Sequence, residues 1–362
     1  MNTFLFCSLY YKKNLPTGAN KRFENFIFSF QDFLNQNEKI LVLVKKGNIP
    51  EKIKKTDKIS FIEIPSFFIL DRFISYIYLS IKFYRSKKMI IVSDFMPIPN
   101  ASLSKHLHYQ LIHDIRNFTK YKRSSYLNSA HNIQKYQWRK SNKIITVSNF
   151  IKNELINNCS IKPENIFVSS NGLEDKYYDM KSSMGRDIDI AYIATFEKRK
   201  NHQYLIKALS KYSSNKKIKL CLIGKDLGTL KKIKKMIIKL NNIEVSFIDS
   251  FPTEKDIIAI YDRTKLFVYP SLYEGFGMPL IEAIARGCRV LCSDIPVFRE
   301  IAGDIPTYFD LQSDPQSLMT LIEKELNLKD PIKINHNLFL DSYKWSNISK
   351  QFYLHVKNEK NN

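Results

Sequence analysis

The feature that most constrains the fold is a regular alternation of short apolar runs with longer amphipathic stretches. In the first half the runs are TFLFCS, KILVLV, MIIVSD, YQLIHD, KIITVS and NIFVSS, and in the second half they are DIAYIAT, IKLCLIG, VSFID, KLFVYP and RVLCS. Continuous apolar runs are typical of parallel strands that are buried on both faces. Their alternation with helical patterns predicts an α/β protein with two Rossmann-like halves.

The length and one polar stretch predict how the chain is divided. A chain of 362 residues is longer than most single domains. The polar segment 173–187 separates the two groups of predicted strands, so we expect an N-terminal domain over residues 1–172 and a C-terminal domain over 173–340. A helix predicted at about 345–357 follows the last strand of the second group. We therefore expect residues 341–362 to return to the first domain.

The net charge is strongly positive and unevenly distributed. The formal charge is +22; residues 1–172 carry 27 Lys and Arg against 11 Asp and Glu, whereas residues 173–362 carry 30 against 24. Such a balance favours polyanionic partners: nucleic acid, anionic lipid or phosphorylated small molecules. The segment 67–88 is apolar nearly all round if it is helical. It is either a buried crossover helix or a helix that rests on a membrane interface.

Cysteine usage and hydropathy narrow the class of protein. The five cysteines are scattered and include no CxxC pair, which predicts reduced thiols in a cytoplasmic protein rather than a disulfide framework or a zinc site. The N-terminal run is strand-like and has no signal-peptide layout. No apolar stretch approaches the roughly 20 residues of a membrane-spanning helix.

Two carboxylates flank a glycine-containing loop in the stretch YPSLYEGFGMPLIEAIARGCRVLCSD, residues 269–294. Glu274 lies in the loop after a predicted strand, and we place Glu282 in the first turn of the following helix. Ligands of open α/β sheets bind beyond the carboxyl ends of the strands, and a helix start attracts phosphate. The loop is therefore expected to hold a diphosphate, with the two carboxylates on sugar hydroxyls. A capped loop with a purely structural role is the alternative.

The same stretch resembles the E-x7-E signature of the retaining nucleotide-sugar glycosyltransferases of family 4, which have the GT-B fold. The resemblance implies that Glu282 binds the nucleotide ribose and that Glu274 contacts the transferred sugar at the reaction centre. It also implies that the backbone of four residues lies near the donor sugar and diphosphate: Gly275, Phe276, Gly277 and Met278.

A basic turn follows the first predicted strand of the second half, in IAYIATFEKRKNHQYLIKAL, residues 190–209. From the residues alone, this turn is either a solubilising cluster or an anion site. It is similar to the family motif GxLExRKN, whose basic pair binds the donor diphosphate. The resemblance assigns that role to Arg199 and Lys200, and cations at this place stabilise the charge of a leaving diphosphate.

Four further residues occupy positions that match the family. Lys225 lies in IGKDLG, which resembles the VGxG turn beside the donor, and Asp249 replaces a glycine whose backbone meets the nucleobase. His113, in YQLIHDIRN, matches a His-Asp step whose histidine contacts the donor sugar, although a lone histidine is often structural. Gly18, in LPTGANKRF, lies where the family has a glycine-rich loop that lines the cleft.

The resemblance implies a GT-B enzyme with two Rossmann-like domains that face each other across a cleft. We expect a metal-independent retaining hexosyltransferase, similar to bacterial O-antigen and lipopolysaccharide glycosyltransferases, with the donor on the second domain and the acceptor on the first. The co-substrate would be a nucleotide diphosphate-sugar, with no other cofactor. The expected acceptor is a lipid-linked glycan or lipopolysaccharide, and the expected location is the cytoplasmic face of an anionic membrane, in peripheral contact.

Two alternatives remain at this stage. The first is other sugar-nucleotide chemistry on the same fold, epimerisation or phosphorolysis. The second belongs to a different class, a basic nucleic-acid-binding protein. The sequence contains no RNP aromatics, zinc fingers or obvious recognition helix, so we expect no nucleic-acid partner.

Overall fold

The computed structural model describes most of the chain. The described residues are 2–13, 17–65, 81, 86–94, 106–120, 135–136, 138–139, 143–179, 185–249, 252–328 and 336–361. The apolar segment 67–88 lies almost entirely outside them, so its two interpretations stay predictions. The chain divides into two compact units: Met1–Gly172 together with Tyr343–Asn362, and Leu173–Ser342.

The first unit is built on a seven-stranded sheet in which every pairing is parallel. Its strands are β1 (Asn2–Ser8), β2 (Glu38–Lys45), β3 (Ile59–Ile64), β4 (Met89–Asp94), β5 (Leu107–Ile112), β6 (Lys143–Thr146) and β7 (Ile166–Val168). The spatial order is β3-β2-β1-β4-β5-β6-β7. The first six positions reproduce the doubly wound order of dinucleotide-binding folds, which confirms the predicted architecture.

Helices at the two ends of this unit's sequence pack together. Its described helices are α1 (Gly18–Phe30) with a 3₁₀ turn over Gln31–Phe33, the 3₁₀ turn Arg116–Phe118, α2 (Asn149–Cys159), the 3₁₀ turn Pro163–Asn165 and the terminal helix, α10 (Trp345–Asn361). The rings of Phe26 and Phe352 lie 5.6 Å apart. The Tyr353 hydroxyl donates to Glu38 Oε2 at 2.9 Å, and Lys357 forms an ion pair with the same carboxylate. Buried aromatic rings and one buried carboxylate thus hold α10 on the first unit.

The second unit repeats the plan with six parallel strands. They are β8 (Ile188–Ile193), β9 (Ile218–Ile223), β10 (Ile243–Ile248), β11 (Thr264–Tyr269), β12 (Arg289–Ser293) and β13 (Thr307–Phe309). Their order is β10-β9-β8-β11-β12-β13, again the doubly wound arrangement. Its helices are α3 (His202–Leu209), α4 (Leu230–Ile237), α5 (Glu254–Arg263), α6 (Met278–Ala285), α7 (Pro296–Ala302), α8 (Pro315–Asn327) and α9 (His336–Asp341), with 3₁₀ turns at Asp175–Tyr177 and Lys198–Lys200.

The strand order of the second sheet determines where a ligand can bind. In this topology the chain winds outward in one direction from β8 and in the other direction from β11, so the two strands are neighbours at the switch point. A crevice opens beyond their carboxyl ends, where α/β proteins bind ligands. The loops that leave β8 and β11 are the ones in which the sequence placed the basic turn and the first carboxylate. No helix among the described residues is both long and apolar enough to cross a membrane.

Candidate functional site

The loops that follow β8 and β11 contact each other at the switch point of the second sheet. The backbone N–H of Leu272 donates to the carbonyl of Arg199 at 2.8 Å, which joins the two loops directly. The loop after β8 forms a 3₁₀ turn over Lys198–Lys200 and ends at Asn201, whose φ of +53° turns the chain into α3. Residues about 75 positions apart in the sequence are thereby neighbours.

Glu274 is the centre of the site. Its side chain is buried, with a residue exposure of 6%. Oε1 accepts from Lys200 Nζ at 2.5 Å, from the Ser271 hydroxyl at 2.7 Å and from the Tyr269 hydroxyl at 3.1 Å. Oε2 accepts from Arg199 Nη1 at 2.8 Å. Two cations and two hydroxyls therefore hold the carboxylate in one orientation.

These contacts keep Glu274 ionised. Burial alone would raise the pKa of the carboxyl, but the charges of Lys200 and Arg199 outweigh burial and lower the pKa to about 2. Burial lowers the pKa of Lys200, while Glu274 opposes this effect. At neutral pH the carboxylate has no proton to give, so it cannot act as a general acid.

A second carboxylate completes the ion cluster. Glu197 Oε1 lies 2.9 Å from Arg199 Nη2 and also accepts from the Thr195 hydroxyl at 3.0 Å. The cluster of Glu197, Arg199, Lys200 and Glu274 thus contains two positive and two negative charges. Because these charges balance one another, any anion that entered the cluster would have to share the two cations with the carboxylates that already bind them.

Gly277 shapes the start of α6. Its φ is +101°, which favours glycine, and a Cβ at this position would lie 2.8 Å from the Phe298 ring. It is the residue before Met278, the first residue of the helix, and Gly275 and Phe276 are buried in the same turn. The four predicted donor-backbone residues therefore run without a break from Glu274 into the first residue of α6.

Glu282 lies one turn further along α6 than the sequence suggested. The helix begins at Met278, so Glu282 is its fifth residue, and the predicted placement in the first turn is wrong. The side chain is 7% exposed, and the Tyr261 hydroxyl donates to its Oε2 at 3.0 Å. Packing against α5, which carries Tyr261, orients this carboxylate.

Lys225 and Asp249 follow the neighbouring strands β9 and β10. Lys225 is exposed, and its carbonyl accepts from the Phe196 N–H at 2.9 Å, which ties it to the loop that carries the basic pair. Asp249 is 58% exposed in its side chain and lies 3.8 Å from Lys234. Both residues thus lie at the carboxyl edge of the sheet, outward from the ion cluster.

Two predicted site residues belong to the first unit. His113 directly follows β5; burial, and then the charge of Arg22, lower its pKa to about 3, so the ring is neutral at neutral pH. Gly18 was expected in a loop, but it is the first residue of α1. It is exposed, and a Cβ there would meet nothing within 4 Å, so this position does not require glycine.

The sequence interpretation missed the residues that hold the charged groups. Ser271, Tyr269 and Glu197 contact the central cluster, and the Tyr192 hydroxyl donates to the carbonyl of Lys200 at 2.6 Å. The sequence did contain a pattern that could have indicated these residues, because polar groups at the ends of strands β8 and β11 are unusual in otherwise apolar runs. Within the described residues, no group of three or more His, Cys, Asp and Glu side chains is placed to hold a metal ion.

Comparisons with known proteins relate the second unit to sugar-transfer enzymes. Residues 179–337 match the family model Glycosyl transferases group 1. The serotype-specific mannosyltransferase WbdA of Escherichia coli is 28% identical over 202 residues, which cover 53% of this chain and 23% of the relative. The O-antigen chain mannosyltransferase RfbU of Salmonella typhimurium is 24% identical over 247 residues, which cover 66% of each protein. The chain therefore spans under a quarter of the length of WbdA.

A solved structure matches the chain along its whole length. The HepE protein of Anabaena, crystallised with UDP and glucose, has a TM-score of 0.71 and 14% sequence identity over 99% of this chain and 100% of that chain. At this identity the likeness shows the fold alone, and it confirms the expected GT-B class. The chain thus has the GT-B fold, and its residues 179–337 are similar to the group 1 glycosyl transferases.

Proposed function

We propose that the chain is a retaining glycosyltransferase that moves a hexose-type sugar from a nucleotide diphosphate-sugar to a glycan acceptor. The observation that carries the proposal is the buried cluster of Glu274, Arg199 and Lys200 at the switch point of the second sheet. The family match of residues 179–337 and the mannosyltransferase names of WbdA and RfbU support a sugar donor and a hexose.

In this proposal the second unit binds the donor. Arg199 and Lys200 face the diphosphate, and Glu282 binds the ribose hydroxyls. The backbone of the turn from Gly275 to Met278 lies beside the diphosphate and the sugar, where N–H groups at a helix start favour anions. The base lies toward Lys225 and Asp249. The acceptor binds the first unit, and the donor-contact roles that the family resemblance implies for His113 and Gly18 stay predictions.

The hydrogen bonds of Glu274 indicate how its carboxylate meets the sugar. A carboxylate has about four lone-pair sites, two on each oxygen. Among the described residues, Oε1 already accepts three hydrogen bonds, whereas Oε2 accepts one, from Arg199. Oε2 is therefore the atom that would accept a hydroxyl of the transferred sugar. The diphosphate would draw the two cations toward itself. The second lone-pair site of Oε2 would then be available to the sugar hydroxyl.

The proposed chemistry needs no side-chain nucleophile. The acceptor hydroxyl oxygen attacks the anomeric carbon on the face from which the diphosphate leaves; the carbon–oxygen bond to the phosphate breaks, and the acceptor proton passes to the leaving phosphate oxygen. Glu274 is a weak nucleophile because four hydrogen bonds and a pKa of about 2 stabilise its charge. Arg199 and Lys200 stabilise the leaving diphosphate without a metal ion.

The acceptor is proposed to be a lipid-linked glycan or a lipopolysaccharide. The similarity to RfbU, an O-antigen chain mannosyltransferase, supports O-antigen synthesis, and the charge of +22 supports peripheral contact with an anionic membrane on the cytoplasmic side.

The test compares donor binding and turnover in matched lysine variants. A panel of UDP- and GDP-sugars is screened by thermal stabilisation, and the strongest donor is incubated with bacterial lipid extracts as acceptors. Product formation and anomeric configuration are then measured by NMR. Lys200→Ala should abolish transfer while the protein stays folded. Lys198→Ala, at the exposed neighbouring position of the same turn, should leave transfer within about twofold of the wild type.

Three results would contradict parts of the proposal. Full transfer by Lys200→Ala would exclude the site assignment. An inverted anomeric product would exclude the same-face mechanism. Equal loss of transfer in the Lys198 and Lys200 variants would indicate a general effect of charge on the turn.

A further inference from the structure

The second unit carries a lysine-rich region outside the proposed reaction centre. Residues 211–240 run from the end of α3 through β9 and α4, and they contain ten lysines and one acidic residue, Asp226. The rest of residues 173–362 contains 20 Lys and Arg against 23 Asp and Glu. All ten lysines are exposed. The positive charge of the C-terminal half is therefore concentrated in a single βα segment.

Helix α4 and the two residues after it present four of these lysines on one face. Its inner face carries Leu230 and Ile233, which are buried with exposures of 7% and 0%. Ile238 continues the helical conformation with φ −55° and ψ −23°, yet it is 84% exposed. At 3.6 residues per turn, Ile238 falls at the edge of the outer arc, between Lys234 and Lys231. We call the lysine surface this outer arc: Lys231, Lys232, Lys235, Lys239 and Ile238.

The charge of the lysine surface is hardly compensated locally. The Asp226 carboxylate is used at the start of α4, where Oδ1 accepts from three backbone N–H groups at 2.8 to 3.1 Å. Lys234 lies 3.8 Å from Asp249. Within the part of the chain that the structure describes, no ion pair involves the four lysines of the lysine surface.

We propose that the lysine surface makes the membrane contact of the proposed function, on which this inference rests, and docks the protein on an anionic lipid bilayer with Ile238 at the boundary between headgroups and acyl chains. Uncompensated lysines match the negative potential of such a bilayer, and each one near it strengthens binding by about fivefold. The exposed apolar side chain of Ile238 beside these lysines favours a bilayer over nucleic acid. A bilayer removes Ile238 from water, whereas phosphate contacts give no such gain.

The experiment measures sedimentation of the full chain with vesicles. Vesicles of neutral phosphatidylcholine are compared with vesicles that contain about 30% phosphatidylglycerol, at low salt. One variant replaces the four surface lysines with glutamine (K231Q, K232Q, K235Q, K239Q). The matched control makes the same change in charge at four exposed lysines of the first unit: K12Q, K39Q, K54Q and K55Q. Lys225 is left intact because it belongs to the proposed donor site.

The wild type should bind the anionic vesicles and not the neutral ones. The α4 variant should bind at least about tenfold more weakly, and the control within about threefold of the wild type. Donor binding should be unchanged in both variants. Equal weakening in the two variants, unchanged binding by the α4 variant, or no wild-type binding would each overturn the proposal.

The variant Ile238→Ser distinguishes binding to a bilayer from binding to a soluble polyanion. This variant should weaken vesicle binding several-fold and leave the weak, salt-dependent binding of single-stranded RNA unchanged. If the four lysines were needed for RNA binding but not for vesicle binding, nucleic acid and not lipid would be the partner. If Ile238→Ser bound vesicles as the wild type does, the proposed insertion would be wrong.

Discussion

Glu274→Gln removes the anion that stabilises two cations of the proposed donor site while it preserves the shape of the side chain. The pKa of Glu274, about 2 against an ordinary 4.5, corresponds to on the order of 3 kcal/mol of preference for the ionised form. Burial of Lys200 offsets part of this gain in the native protein. Glu274→Gln leaves Arg199 and Lys200 without the negative charge of this carboxylate. We therefore expect the free energy of unfolding to fall by about 3 kcal/mol.

The same variant should respond more strongly to a diphosphate. A loss of about 3 kcal/mol lowers the melting temperature of a unit of this size by roughly 6 to 12 °C. A nucleoside diphosphate supplies the missing negative charge, so a saturating amount should raise the melting temperature of Glu274→Gln more than that of the wild type. Differential scanning calorimetry measures both effects. Glu244→Gln, at an exposed position on β10, is the control for loss of one charge.

The pH dependence provides a second readout of this perturbation. Because the folded-state pKa of Glu274 is lowered, its stabilisation is complete above about pH 4.5 and is lost as the pH falls toward 2. The stability difference between wild type and Glu274→Gln should shrink across that range. Equal melting temperatures at pH 7, or a smaller response to the diphosphate in the variant, would refute the account of the charge cluster.

Two further substitutions test the residues that shape the turn before α6 and orient Glu282. Gly277→Ala should lower the free energy of unfolding in urea by about 1 to 3 kcal/mol, because of the positive φ and the contact with Phe298. Gly303 also has a positive φ but no neighbour within 4 Å, so Gly303→Ala should lower the free energy of unfolding by less. Equal losses of stability in the two variants would exclude the contact with Phe298 as the cause. Tyr261→Phe removes the hydrogen bond to Glu282, and calorimetric titration should show donor affinity reduced by roughly tenfold. An unchanged affinity would contradict the proposed role of Glu282.

The central strands could be predicted because burial on both faces leaves a continuous apolar run. Two strands were missed for physical reasons. β3 (Ile59–Ile64) is the outermost strand of its sheet and contains the exposed Glu63, so its run is interrupted. β13 (Thr307–Phe309) is only three residues long and is also at an edge. An edge position alone does not hide a strand, because the outermost strands β7 and β10 were predicted from their apolar runs.

The chemistry of the candidate site could be predicted only in separate pieces. The sequence indicated a basic turn and a carboxylate loop, and it predicted different partners for them: phosphates for Arg199 and Lys200, and hydroxyls for Glu274. It could not predict that these groups pair with one another, because that contact depends on β8 and β11 being neighbours. Strand order arises from tertiary packing and has no local signal in the chain.

The most direct test of the central claim is the affinity difference between a nucleoside diphosphate and its nucleoside, measured by calorimetric titration with the nucleotide that the donor screen selects. If Lys200 and Arg199 hold the diphosphate, the wild type should bind the diphosphate at least about a hundredfold more tightly. Lys200→Ala should lose most of this difference while its affinity for the nucleoside stays the same. A variant that keeps the full difference would show that the diphosphate binds elsewhere.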